Sequence, residues 1–209
     1  TDLPKQYLQF NGKELIAYTI DIFQKCDLID EIIISARKDY FDLLHTIKNN
    51  YSFFKISKIV EGGEERQHSV FNALKSINAK DDDLIIVHDA VRPLLPHDIL
   101  MKAIKTAKIS GSAVVAIKAK DTLIKGMDSV VSYIDRQDVY YAQTQQVFHY
   151  KILLDAMNQA EKENFIGTDE SMLAHRAGYK VRIVIGSSLN LKITSQDDIK
   201  LFEILSENL

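Results

Sequence analysis

The chain has 209 residues, 46% of them hydrophobic and 26% charged, with a net charge of −3. That is enough apolar material for one sizeable core, and the length suits a single α/β domain spanning 1–209. The mild negative balance argues against a nucleic-acid or membrane partner, no apolar run approaches the roughly 18 residues of a membrane span, and the single Cys26 excludes an intrachain disulfide and favours a reducing, cytoplasmic compartment.

Helical periodicity fits 14–25 and then 38–49. Between them EIIISA, at 31–36, is a short β-branched apolar run of the kind that forms a strand buried on both faces. SKIV at 57–60 reads as a strand and is followed by a Gly pair and a helix at about 65–78. LIIVHD at 84–89 is the next buried strand, a helix at about 97–109 follows, and SAVVAIKA at 112–119 is a further strand. The alternation predicts a mostly parallel sheet with helices on both faces. It breaks at DTLIKGMDSVVSYID, 121–135, where KGMD between two strand-like runs predicts a β-hairpin. A protruding arm of this kind, over about 121–141, is often an oligomerisation element or a lid. Helices at about 149–162 and 169–177, strands VRIVIG at 181–186 and LKIT at 191–194, and a closing helix at 196–207 complete the chain.

Ligands of open parallel sheets bind outside the carboxyl ends of the strands. The strand tips here carry EGGEERQHS after SKIV, DAVRP after LIIVH, KDT after AVVAIKA, DR at 135–136, AQT at 142–144 and NLKIT. Arg, Lys, Ser, Thr and one strand-end carboxylate suit phosphates and a divalent cation, because Arg and Lys neutralise phosphate and carboxylates hold Mg²⁺. Each piece also has a plain structural reading. Gly62-Gly63 suits a turn before a helix, and Thr168 ahead of Asp169 and Glu170 suits an N-cap. Lys192 suits an edge strand from which it alternates outward, Arg92 suits a loop tie, and His88 suits a hydrogen-bonded structural role. No HExxH, CxxC pair, GxSxG or P-loop is present.

Together the motifs are specific. PKQYL at 4–8 with GK at 12–13, EGGEERQHSV at 61–70, VHDAVRP at 87–93, KDTL at 120–123, DR and AQT within 135–144, TDES at 168–171 and NLKIT at 190–194 stand in a fixed order. In order and spacing the whole chain resembles the 2-C-methyl-D-erythritol 4-phosphate cytidylyltransferases of the non-mevalonate isoprenoid pathway. The resemblance implies a Rossmann-like nucleotidyltransferase with a β-arm that reaches across a homodimer. It implies transfer of CMP from CTP to a sugar-alcohol phosphate, release of pyrophosphate, and Mg²⁺ as cofactor. It further implies that Lys5 stabilises charge at the α-phosphate, that Arg136 and Lys192 hold the attacking phosphate, and that Asp89 faces the metal and the reacting groups. Arg92, Thr144 and Thr168 are then expected to bind the second substrate, and Gly63, Glu64 and Ser69 to contact the cytidine side. Arg136 comes from the arm region, so a partner subunit is expected to complete the site.

Two departures stand out. The family opens with a strand and a Gly-rich loop that wraps the triphosphate, and this chain starts just after it, so an upstream segment is expected. The family's Thr-Pro-Gln is Thr144-Gln145-Gln146 here, which relaxes the loop while Thr144 keeps its hydroxyl. Three other readings compete. Ribitol-5-phosphate cytidylyltransferases share HDAxRP and the Asn-x-Lys strand, but DR ahead of AQT and TDES in place of TDA favour methylerythritol phosphate. A non-catalytic nucleotide-binding relative would keep the fold without the loop. An NAD-binding Rossmann domain requires GxGxxG after a strand, which is not present.

Overall fold

The computed structural model describes residues 3–207; the first two and last two residues of the expected 1–209 domain lie outside them. A 3-10 turn at Lys5–Tyr7 leads into a small antiparallel hairpin of β1 (Gln9–Phe10) and β2 (Lys13–Glu14). Asn11 and Gly12 form its turn with φ of 48° and 76°, the left-handed pair that Asn-Gly adopts at least cost. The sequence reading does not anticipate this hairpin.

The next elements fall close to where periodicity places them: α1 (Leu15–Gln24), β3 (Ile32–Ala36), α2 (Phe41–Asn50, after a 3-10 turn at Lys38–Tyr40), β4 (Ile56–Glu61) and α3 (Arg66–Lys75). They continue with β5 (Leu84–Val87), α4 (His97–Ser110) and β6 (Ser112–Lys118). β7 (Leu123–Gly126) and β8 (Val130–Ile134) pair antiparallel as the expected hairpin. Then come β9 (Tyr140–His149), α5 (Tyr150–Lys162), α6 (Glu170–Arg176), β10 (Arg182–Ile185) and α7 (Gln196–Ser206). α4 ends on Gly111, whose φ of 83° supplies the left-handed cap.

The main sheet has the order β10-β6-β9-β5, and β3 and β4 form a separate parallel pair. β10 runs parallel to β6, while β9 runs antiparallel to both β6 and β5. The expectation of parallel neighbours is therefore corrected. β5, β6 and β10 share one direction, but β9 lies between β5 and β6 and runs against them. Burial is corrected too: of EIIISA only Ile34 is fully buried, and of LIIV only Val87. Successive β9 residues face opposite layers, as strand pleating requires. Val147 joins α4 residues Leu100 and Ala103 with Val115 and Val184, and Phe148 joins Phe71, Leu153, Met157 and Leu173 from α3, α5 and α6.

β9 was missed because AQTQQ reads as polar. Its glutamines are buried, and their amides find partners that only the fold supplies: Gln143 donates to Ser187 O at 2.9 Å, Gln145 to Ile99 O at 3.1 Å and Gln146 to Asp169 Oδ2 at 2.9 Å. Conversely, the expected strand at 191–194 does not form. Ile193 is buried, but its N–H makes a single bond, to Val91 O at 2.9 Å, rather than a ladder.

Candidate active site

The carboxyl end of β5 is the centre of the site. The strand stops at Val87, and the chain turns so that the Asp89 N–H donates to Thr144 Oγ1 at 3.0 Å on the neighbouring β9. The Arg92 N–H closes the turn onto Asp89 O at 3.1 Å. The Asp89 side chain, only 9% exposed, meets three cations. Arg66 Nε reaches Oδ1 at 3.2 Å, while Arg92 Nε at 3.2 Å and Lys192 Nζ at 3.3 Å reach Oδ2. Burial alone would raise the Asp89 carboxyl, but Arg66, then Lys192 and Arg92, pull it down to about 2. Asp89 is therefore ionised at any working pH.

A second layer fixes these groups. Arg92 Nη1 donates to Asn190 O at 2.7 Å, and the fully buried Asn190 donates through Nδ2 to Thr144 O at 2.7 Å. Arg66 Nη1 donates to both oxygens of Glu170, at 2.7 and 2.8 Å. Burial raises the Glu170 carboxyl despite Arg66 beside it. Asp169, not Thr168, caps α6, accepting from Met172 N–H at 2.8 Å; Thr168 lies exposed just ahead of it, so the N-cap reading of Thr168 is corrected.

The expected residues separate into groups. Asp89, Arg92, Thr144 and Lys192 meet in one network, and Lys192 points into it rather than outward from an edge strand. Gly63 and Glu64 lie on the turn into α3 and Ser69 in its first turn, where Gly63 N–H donates to Ser69 Oγ at 3.0 Å. A Cβ at Gly63 would come within 2.3 Å of His68 Cβ, so glycine is required there. Lys5 donates to Thr194 O at 3.2 Å, two residues beyond Lys192. Arg136 stands at the root of the hairpin, where it donates to Lys120 O, and no contact among the described residues ties it to Asp89. Sequence reasoning missed Arg66, Glu170 and Asn190 as site residues. All three lie inside motifs it had marked, EGGEERQHSV, TDES and NLKIT.

His88 is half-buried, packs against Phe23 and shares a hydrogen bond with Arg92 O at 3.1 Å. Burial lowers its imidazole to about 4. Above pH 6.5 the ring is neutral in both folded and unfolded chains. As pH falls from 6.5 towards 4 only the unfolded chain takes the proton, so His88 makes stability fall with acidification, by about 2 kcal/mol between pH 7 and pH 5. Glu170, with its raised carboxyl, acts in the opposite sense. The difference between wild type and His88→Gln isolates the histidine. Urea unfolding at the two pH values is expected to show a drop larger by about 2 kcal/mol in wild type, and equal drops would contradict a neutral imidazole.

Among the described residues, no three His, Cys, Asp or Glu side chains cluster as a ready metal cage. Asp89 is ionised, but both of its oxygens accept from cations. A single ionised carboxylate would suit only a Mg²⁺ that takes most of its ligands from phosphate oxygens and water, with Asp89 as the residue that would hold it. No helix among the described residues is long and apolar enough to cross a membrane.

A cationic, carboxylate-centred strand tip on a mixed α/β fold suits an enzyme that handles phosphates. The family model for 2-C-methyl-D-erythritol 4-phosphate cytidylyltransferase matches residues 1–207, and the chain belongs to that family. It is 40% identical to the enzyme of that name from Clostridioides difficile over 97% of this chain and 85% of the relative. It is 41% identical to the one from Clostridium acetobutylicum over 96% and 88%. The solved 4-diphosphocytidyl-2C-methyl-D-erythritol synthase of Anaerococcus prevotii superposes with a TM-score of 0.87 at 30% identity, covering 98% of this chain and 91% of that one. The chain is accordingly a cytidylyltransferase of isoprenoid biosynthesis.

Proposed function

We propose that the chain, acting as one nucleotidyltransferase domain, transfers CMP from CTP to 2-C-methyl-D-erythritol 4-phosphate. The substrate phosphate oxygen attacks the α-phosphorus of CTP, the bond to the β-phosphate breaks, and pyrophosphate leaves. The nucleophile is already anionic at neutral pH, so no general base is needed. The task is to bring two polyanions together in line and to stabilise charge at phosphorus. The observation that carries this reading is the convergence of Arg66, Arg92 and Lys192 on one ionised aspartate at the tip of β5.

In this reading Lys192 holds the attacking phosphate, Lys5 neutralises the α-phosphate, and Arg92, Thr144 and Thr168 bind the sugar-alcohol phosphate. Gly63, Glu64 and Ser69 contact the cytidine. Asp89 is the protein ligand for a Mg²⁺ carried in with the triphosphate. When bound, that ion neutralises phosphate charge.

Arg136 completes the phosphate site from a second copy, through a homodimer built on the arm. Two features support this. Arg136 sits at the arm's root without a contact to Asp89 among the described residues, and the arm exposes Ile124, Val130, Val131 and Tyr133, an apolar surface that pairing would cover.

The test is substrate choice. With CTP and Mg²⁺, methylerythritol 4-phosphate is expected to release pyrophosphate at least about tenfold faster than ribitol 5-phosphate, a difference of about 1.4 kcal/mol in the barrier. Faster release with ribitol 5-phosphate, or none with either, overturns the assignment.

A further inference from the structure

We propose that Arg66 and Glu170 are positioning residues for Asp89. Glu170, buried at the start of α6, holds the Arg66 guanidinium, and Arg66 holds the Asp89 carboxylate so that Oδ2 faces Arg92 and Lys192. The inference rests on the reading of Asp89 as part of the transfer site.

One guanidinium spans two carboxylates here, with Nε 3.2 Å from Asp89 Oδ1 and Nη1 at 2.7 and 2.8 Å from the oxygens of Glu170. The division of labour at Asp89 is what matters. Arg66 takes Oδ1, while Arg92 and Lys192 both take Oδ2. Arg66 thereby fixes rotation of the carboxylate about its last bond, and that rotation decides which way Oδ2 points. Glu170 is 1% exposed and too deep to touch a substrate, so any effect it has on turnover passes through Arg66.

The neighbouring residue strengthens the connection. Gln67 donates to Phe165 O at 3.0 Å and accepts from Gly167 N–H at 2.9 Å. The first turn of α3 thus clamps the 165–170 segment, which carries Thr168, to the tip of β5. A buried ion pair adds little stability over apolar side chains of the same volume. Fixed orientation is what this bridge supplies and an apolar contact would not.

The experiment compares steady-state kinetics, with CTP, methylerythritol 4-phosphate and Mg²⁺, for wild type, Glu170→Gln, Asp89→Asn and the double variant. Glu170→Gln is expected to lower kcat about tenfold with the KM for CTP unchanged, since sub-ångström misplacement of a positioned group carries effects of this size. In the Asp89→Asn background the same change is expected to cost less than about twofold, because the two act in series. Additive losses in the double variant, or wild-type kcat in folded Glu170→Gln, overturn the proposal. Should Glu170→Gln fail to fold, Arg66→Met/Glu170→Met replaces the pair with apolar volume and keeps the test open. It is expected to lose kcat at least as strongly as Glu170→Gln, and wild-type turnover in it overturns the proposal. Transfer by the wild-type chain is measured in the same series. Absence of transfer there defeats the functional reading, which is a distinct result from transfer that is indifferent to Glu170.

Discussion

Lys192→Ala is expected to lower turnover by about 10²- to 10³-fold while leaving the unfolding midpoint almost unchanged. The structure separates the two effects. The Lys192 side chain is 42% exposed and makes one ion pair among the described residues, with Asp89 at 3.3 Å, so its loss costs at most about 1 kcal/mol of stability. Asp89 would still keep Arg66 and Arg92. In the reaction, however, Lys192 is the most exposed cation of the cluster and makes no bond to Glu170 as Arg66 does, so it is free to exchange a carboxylate for an incoming phosphate. Urea unfolding together with pyrophosphate release checks both halves. Wild-type turnover would remove Lys192 from the site, and a large loss of stability would make it structural.

Arg92→Ala is expected to do the opposite on the stability axis. The Arg92 side chain is as buried as that of Asp89, donates to Asp89 Oδ2 at 3.2 Å and to Asn190 O at 2.7 Å, and ties the β5 tip to the segment that carries Lys192. Removing it strips a buried carboxylate of one partner and leaves the Asn190 carbonyl with only a 3.3 Å bond from Gln143. Asp89 keeps Arg66 and Lys192, so the cost is that of two lost charge-assisted bonds, about 3 kcal/mol, which for a chain of this length is on the order of 10 °C in Tm. Turnover is expected to fall as well, because the same side chain orients Asp89. A stability change under about 1 kcal/mol would show that the network relaxes around the gap and is not the brace described here.

The strands and helices written in β-branched runs or clear helical periods were legible, as with α1, α4 and β6. β9 was not, because its three glutamines look like a loop until Ser187, Ile99 and Asp169 arrive to satisfy them. Its absence from the reading also produced the wrong picture of the sheet, since β9 is the strand that turns parallel neighbours into antiparallel ones. At 191–194 the error ran the other way: alternation suggested a strand, yet one buried isoleucine and one backbone bond account for the pattern.

Within the site, Asp89 and Arg92 could be picked out because strand tips concentrate ligand chemistry, and Lys192 through the family resemblance that the NLKIT motif helps to carry. Arg66 and Glu170 could not, because 104 residues separate them and nothing in either local sequence indicates that they meet. Spacing identifies groups on one element. It carries no information about a salt bridge made between elements.

The central claim is that the cations around Asp89 hold an attacking phosphate. The most direct measurement is a calorimetric titration of methylerythritol 4-phosphate into wild type and Lys192→Ala, each saturated with Mg²⁺ and a non-hydrolysable CTP analogue. At least about tenfold weaker binding in Lys192→Ala, equivalent to about 1.4 kcal/mol, is the predicted result, and equal affinity in the two proteins would contradict the account.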